Sequence, residues 1–123
     1  MKPEKSSFLI GRIRSVRFAL RGLWLLVTTE HSIISQLIIS GIMCVLGFYF
    51  EISSTEWMFQ ILAIGMILTA ESLNTAIEKL CDDLQPNFDK KIGFIKDIAA
   101  GAVTFAAITA IIIGGIIYLP KLF

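Results

Sequence analysis

The chain has 123 residues and a formal net charge of +1; 55% of the residues are hydrophobic and the mean hydropathy is +0.77. Soluble domains contain about 45–50% apolar residues, so the composition excludes an ordinary water-soluble domain and predicts an integral membrane protein. The near-neutral charge gives no electrostatic basis for a nucleic-acid partner.

The first predicted element is an amphipathic helix over residues of about 7–27. Seven apolar residues share one arc of a helical wheel, whereas Arg14, Arg17 and Arg21 lie in another arc. The seven are Phe8, Leu9, Ile13, Val16, Leu20, Leu23 and Trp24. Such a helix lies in the membrane interface with its arginines toward anionic headgroups, so this segment is not expected to cross the membrane. Arg12 falls within the apolar arc, which indicates either snorkelling toward water or a phosphate contact in a binding site.

Three later segments are predicted to cross the membrane, over residues of about 30–50, 56–83 and 93–119. The first and third contain charge-free stretches of about the 20 residues that a span needs, while the second reaches that length with its polar end. Lysine and arginine are frequent before the first span and between the second and third, but absent from the remaining short loop. This bias predicts a cytoplasmic N-terminus. Residues 1–123 are therefore predicted to form one integral membrane domain.

Carboxylate and amide side chains form a row along the second predicted span. Glu71, Asn74, Glu78 and Asp82 fall within an arc of about 80° on a helical wheel. Ionisable groups at membrane depth are costly and by default indicate a functional site. Glu71 is expected to lie deepest and Asp82 at the membrane surface. Three helices cannot enclose such a row alone, which favours self-association.

A divalent cation is one candidate ligand of this row. Glu30 begins the first span at the membrane level of Glu78, and Mg²⁺ favours carboxylate oxygens combined with substrate phosphates. Alternatively, Glu78 pairs with a basic residue and Glu30 only interacts with the helix dipole. Lys96 and Asp97, at the start of the third span, either contact a nucleotide phosphate or form an ordinary surface pair.

The segment Glu71-Ser-Leu-Asn-Thr-Ala-Ile-Glu78, followed by Asp82 and by Lys96-Asp97-Ile-Ala-Ala-Gly, closely resembles the signature of the prokaryotic diacylglycerol kinase family. Phe18-Ala-Leu-Arg-Gly-Leu23 and Glu30 also fit this signature. The resemblance implies an all-α, homotrimeric enzyme of the bacterial cytoplasmic (inner) membrane, with one surface helix and three spans per subunit. It also implies transfer of the γ-phosphate of MgATP to a lipid hydroxyl.

The resemblance further implies roles for single residues. Glu71 would act as general base and would contact the lipid substrate together with Ala100. Glu30 and Glu78 would bind both Mg²⁺ and the nucleotide. The supporting polar groups would be Asn74 and Asp82. The other contacts to ATP would come from Arg12, Phe18, Asn87, Phe88, Asp89, Lys96 and Asp97.

The lipid acceptor distinguishes two predictions. The family name implies diacylglycerol, which would be converted to phosphatidic acid, and this is the primary prediction. The Asn-Thr-Ala-Ile-Glu sequence of residues 74–78 and the Tyr-Leu-Pro-Lys-Leu sequence of residues 118–122 are instead similar to the Gram-positive branch, whose members prefer undecaprenol and make undecaprenyl phosphate. A third alternative is a non-catalytic membrane adaptor or a small ion carrier, because intramembrane carboxylates would serve such proteins too.

Overall fold

The chain is described by a computed structural model over residues 7–84, 87 and 89–123. These residues contain no strand and form four helices: α1 Phe8–Thr29, α2 His31–Tyr49, α3 Ser54–Leu84 and α4 Lys90–Leu122. By length and composition, α2, α3 and α4 are each able to cross a membrane. The predicted class is therefore confirmed: the protein is an all-α membrane protein with one N-terminal helix before three candidate spans. That residues 1–123 form a single domain stays a prediction.

α1 is the amphipathic helix, and none of its residues is buried. The side chain of Ser7 caps its first turn by accepting a hydrogen bond from the backbone N–H of Ile10 at 3.1 Å. The helix ends at Glu30, whose extended backbone (φ −98°, ψ 113°) interrupts the helical path. α2 begins at the next residue. Glu30 is thus both the C-cap of α1 and the N-cap of α2, which places its side chain at the junction of the surface helix and the first span.

The turn between α2 and α3 is closed by a reciprocal capping box. The backbone N–H of Ser53 donates to Glu56 Oε1 at 2.9 Å, and the backbone N–H of Glu56 donates to Ser53 Oγ at 3.1 Å. The other carboxylate oxygen of Glu56 lies 2.9 Å from Lys121 Nζ at the end of α4. These contacts link the start of α3 to the end of α4.

A hydrogen-bonded group joins the three spans near the same end of the bundle. The hydroxyl of Tyr118 on α4 donates to Gln60 Oε1 on α3 at 2.6 Å, and Gln60 Nε2 donates to the carbonyl oxygen of Met43 on α2 at 3.1 Å. Gln60 is only 5% exposed. Because lipid provides no water to replace these partners, the contacts fix the lateral positions of the helices.

α3 packs more extensively against α4 than against α2. Both helices bury small residues, among them Ala63 on α3 and Ala99 and Ala106 on α4. Small side chains allow helix backbones to approach closely in lipid, where no hydrophobic effect drives helices together. The pairing brings the C-terminal half of α3 beside the first turns of α4, where Lys96 meets Asp82.

Gly47→Ala is expected to lower the thermal unfolding midpoint of the detergent-solubilised protein. A Cβ atom at Gly47 would lie 2.8 Å from two ring atoms of Trp57 and 3.2 Å from Cδ1 of Ile52. Relieving such an overlap in a packed contact costs about 1–3 kcal/mol. Gly41→Ala is the matched control, since its added Cβ meets no atom within 4 Å. Circular dichroism during heating measures the midpoints. Equal midpoints in the two variants would contradict the prediction.

Candidate functional site

The carboxylate row lies along the C-terminal half of α3. Glu71, Asn74 and Glu78 are half-buried, while Asp82 is exposed near the end of the helix. The amide Nδ2 of Asn74 donates to Glu78 Oε2 at 3.4 Å, one helical turn away. Glu78 forms no ion pair within the described part of the chain, so the alternative in which a basic residue neutralises it is not observed there.

The amide oxygen of Asn74 is the notable polar group of this row. Oδ1 is buried and accepts no hydrogen bond from any described residue. An unsatisfied buried acceptor costs about 1–3 kcal/mol, so a donor or a cation at this position would recover that energy. The orphaned oxygen lies one helical turn from the carboxylate of Glu78, which makes this part of α3 suited to a positively charged ligand.

α4 contributes a cation to the surface end of the row. Lys96 Nζ lies 2.9 Å from Asp82 Oδ1. The partner of Lys96 is thus Asp82 on the neighbouring helix. Asp97, the next residue of α4, is exposed. The end of α3 and the start of α4 therefore place one lysine ammonium group at the end of the acidic row, where it can contact an anionic group.

Glu30 approaches α3 from the junction of α1 and α2, and its partner was not anticipated from the sequence. Lys79 Nζ lies 3.3 Å from Glu30 Oε2. The only sequence signal for this contact is that Lys79 is basic and lies between Glu78 and Asp82. Glu30 is the N-cap of α2, but its side chain makes no capping hydrogen bond, so the carboxylate is not required for helix initiation.

A groove of about 590 Å³ separates α1 from α3 beside this ion pair. Its walls combine apolar and polar side chains, and Glu30 and Lys79 both belong to its polar part. The lining residues are Gly22, Leu25, Leu26, Thr29, Glu30, Ser72, Leu73, Thr75, Ala76 and Lys79. A groove of this composition, between an interfacial helix and a span, suits an amphipathic molecule that enters from the membrane.

For several other residues predicted to contact the nucleotide or the lipid, the structure gives local contacts or exposure, and their roles stay predictions. The Arg12 guanidinium lies 5.7 Å from the centre of the Phe8 ring, and Phe18 is 66% exposed on α1. Asp89 caps α4 by accepting hydrogen bonds from the backbone N–H groups of residues 91 and 92. Asn87 is exposed. Phe88 lies outside the described residues. The exposed Ala100, predicted to contact the lipid, lies one turn beyond Lys96 on α4.

The donor set fits a cation that is shared with phosphates. Within the described residues no group of three or more histidine, cysteine or acidic side chains is arranged to hold a metal ion alone. Mg²⁺ is usually bound by one or two carboxylates together with substrate phosphates, so a complete protein cage is not required. The half-buried Glu78 beside the unpaired Asn74 oxygen supplies such a partial set, and Glu30 contacts Lys79, the residue that follows Glu78.

Comparison with known proteins gives matches over most of the chain. The family model described as prokaryotic diacylglycerol kinase matches residues 17–118. An undecaprenol kinase of Bacillus subtilis (strain 168) is 38% identical over 102 residues, which cover 83% of this chain and 83% of that protein. A diacylglycerol kinase of Synechocystis sp. is 41% identical over 58 residues, which cover 46% of this chain and 33% of that protein. The family match includes the whole acidic row, Glu30 and Lys96, but not Arg12.

Proposed function

Because the chain belongs to the prokaryotic diacylglycerol kinase family, we propose that it uses ATP to phosphorylate the hydroxyl group of a membrane lipid, and that this lipid is undecaprenol. The family match over residues 17–118 carries the kinase assignment, since it contains the complete acidic row of α3. The undecaprenol kinase relative aligns with 83% of this chain, whereas the diacylglycerol kinase relative aligns with 46% of it. Diacylglycerol, which the family description names, is the second candidate.

In the proposed reaction the lipid oxygen forms a bond to the γ-phosphorus of ATP as the bond to the β-phosphate oxygen breaks. Glu71 accepts the proton that leaves the lipid hydroxyl. It is half-buried, it is the member of the row farthest from the C-terminal end of α3, and it makes no ion pair with the described residues. A carboxylate without a cationic partner keeps its oxygens available for that proton.

The remaining residues orient the nucleotide. Mg²⁺, when bound, neutralises charge on the phosphates, as in other phosphoryl transfer enzymes. Glu30 and Glu78 are the carboxylates that would hold it, and Asn74 positions Glu78 through their hydrogen bond. Lys96, held at the end of the acidic row by Asp82, provides a cation for a phosphate oxygen. These roles are supported by the charges and positions of the side chains and by the family membership.

The proposal includes a cytoplasmic N-terminus and a homotrimeric assembly. The arginines of α1 and the lysines at the start of α4 favour the cytoplasmic side for the N-terminus and for the end of α3, in a bacterial cytoplasmic membrane. ATP would then reach the acidic row directly. A homotrimer is proposed because the family resemblance implies it and because one copy leaves much of the polar row only half-buried.

The test is phosphorylation of purified lipids by the purified protein in mixed micelles. We expect transfer of the γ-phosphate to undecaprenol with a higher kcat/KM than to diacylglycerol. A higher kcat/KM with diacylglycerol would assign the second candidate instead. ATP-dependent phosphorylation of neither lipid would contradict the kinase assignment and would favour an adaptor or ion carrier.

A further inference from the structure

Lys79 holds the carboxylate that the proposed metal site requires. Its Nζ lies 3.3 Å from Glu30 Oε2, and the Glu30 side chain is 21% exposed. The hydroxyl of Thr29 also lies 3.3 Å from this oxygen, but it lies 2.6 Å from the carbonyl oxygen of Leu25. One hydroxyl proton cannot serve both acceptors, and the shorter contact is to Leu25. The ammonium group of Lys79 is therefore the principal partner of Glu30.

We propose that Lys79 is a counter-ion that competes with the divalent cation for Glu30. This inference rests on the proposed function, in which Glu30 is a metal ligand. In the protein without metal, the ammonium group neutralises a carboxylate that would otherwise lie unpaired at the membrane interface. When the cation binds, Glu30 exchanges one positive partner for another, and Lys79 moves away. Lys79 is a positioning residue in this scheme and forms no part of the chemical step.

The geometry of the pair suits such an exchange. A charge-assisted hydrogen bond between nitrogen and oxygen is typically about 2.7–2.9 Å long, so the 3.3 Å contact is a loose one. The Lys79 side chain is 64% exposed, and its long flexible stem lets the ammonium group leave without moving α3. Glu30 has an extended backbone between two helices and makes no cap hydrogen bond that would restrain its carboxylate. The ion pair is therefore held weakly enough for a cation to displace it.

The exchange affects when the cation binds. A bare cation must displace Lys79 and obtains only protein oxygens in return. A cation that arrives with nucleotide already has phosphate ligands, so its binding depends less on Glu30 and is weakened less by competition from Lys79. Competition from Lys79 thus disfavours metal binding in the absence of nucleotide. Removal of the Lys79 ammonium group should therefore strengthen binding of the metal ion, although Lys79 contacts the site.

Binding of Mn²⁺ alone, measured by electron paramagnetic resonance on the full-length protein in detergent micelles, tests this inference without any turnover. Lys79→Met should bind Mn²⁺ about threefold tighter than the wild type, since exposed ion pairs of this kind change equilibria by about 1.4- to fivefold. Lys79→Arg, which keeps the charge, should stay near the wild-type affinity. Lys91→Met is the matched control: it removes the same charge from an exposed position at the start of α4 and should change nothing.

The outcomes separate this inference from the proposed metal site. Unchanged or weaker Mn²⁺ binding by Lys79→Met overturns the competition, as does equal tightening in Lys79→Met and Lys91→Met. Lys79→Gln provides a second neutral variant if the methionine protein fails to fold. In every background Glu30→Gln should weaken Mn²⁺ binding. If it does not, Glu30 is not a metal ligand, and both the metal site and the competition fail. If it does, but Lys79→Met shows no gain, only the competition fails.

Discussion

Glu71→Gln is expected to lower kcat for lipid phosphorylation by about 10²–10⁴-fold, the usual contribution of a positioned general base. Glutamine has nearly the same shape as glutamate but cannot accept the hydroxyl proton. The affinity for MgATP should stay near that of the wild type, because Glu71 lies about two helical turns away from Glu78 along α3. Initial rates with saturating lipid give kcat, and equilibrium binding of a fluorescent nucleotide with Mg²⁺ gives the affinity.

Asp83→Asn is the control for this variant. It makes the same chemical change on the same helix, but Asp83 is exposed and lies outside the arc of the acidic row. Activity of Asp83→Asn should equal that of the wild type. If Glu71→Gln keeps a tenth or more of the wild-type rate, it has lost no more than about 1.4 kcal/mol of transition-state stabilisation, too little for a general base.

Glu78→Ala is expected to weaken MgATP binding by about 100-fold or more. The change removes a proposed metal ligand and also leaves the Asn74 amide without its carboxylate partner. Loss of groups that merely orient metal ligands already costs about 10–100-fold, so loss of a ligand should cost at least as much. Isothermal titration of MgATP into the solubilised protein, without lipid acceptor, measures the affinity directly.

The effect of Mg²⁺ concentration on the MgATP affinity of Glu78→Ala tests whether Glu78 binds the metal ion directly. Asp83→Ala removes a nearby exposed carboxylate from the same helix and should bind MgATP normally. Raising the Mg²⁺ concentration should not restore the affinity of Glu78→Ala fully, because the missing carboxylate is part of the site itself. Complete recovery at high Mg²⁺ would mean that Glu78 only attracts cations to the membrane surface and does not bind one.

The sequence was sufficient to predict the helices and the acidic row. Both depend on local patterns: charge-free length predicts the spans, and the 3.6-residue period places Glu71, Asn74 and Glu78 on one face. The first helix was predicted over residues of about 7–27, and α1 continues to Thr29 before Glu30 ends it. The amphipathic arc predicted a first helix that does not cross the membrane, and α1 is not among the three candidate spans; its position in the membrane interface stays a prediction.

Contacts between helices were beyond the reach of the sequence. Tyr118 and Gln60 are 58 residues apart, and no periodicity indicates that they share a hydrogen bond. Lys79 follows Glu78 directly, yet its rotation around α3 brings it to Glu30 at the start of α2. Such pairings depend on the relative rotation and depth of packed helices, which small residues permit but do not specify.

Different kinds of contact hold the helices together at the two ends of the bundle. Beside the α2–α3 turn, Gln60 and Tyr118 are held by short hydrogen bonds in the interior of the bundle, and an apolar cluster of Ile52, Ile117 and Tyr118 adjoins them. At the opposite end, the contacts between helices include the ion pairs Lys79–Glu30 and Lys96–Asp82. The lysine side chains of these pairs are partly or largely exposed. Exposed ion pairs hold elements together weakly. The spans are therefore expected to separate more easily at this end, which carries Glu30 and Glu78, than at the end held by Gln60 and Tyr118.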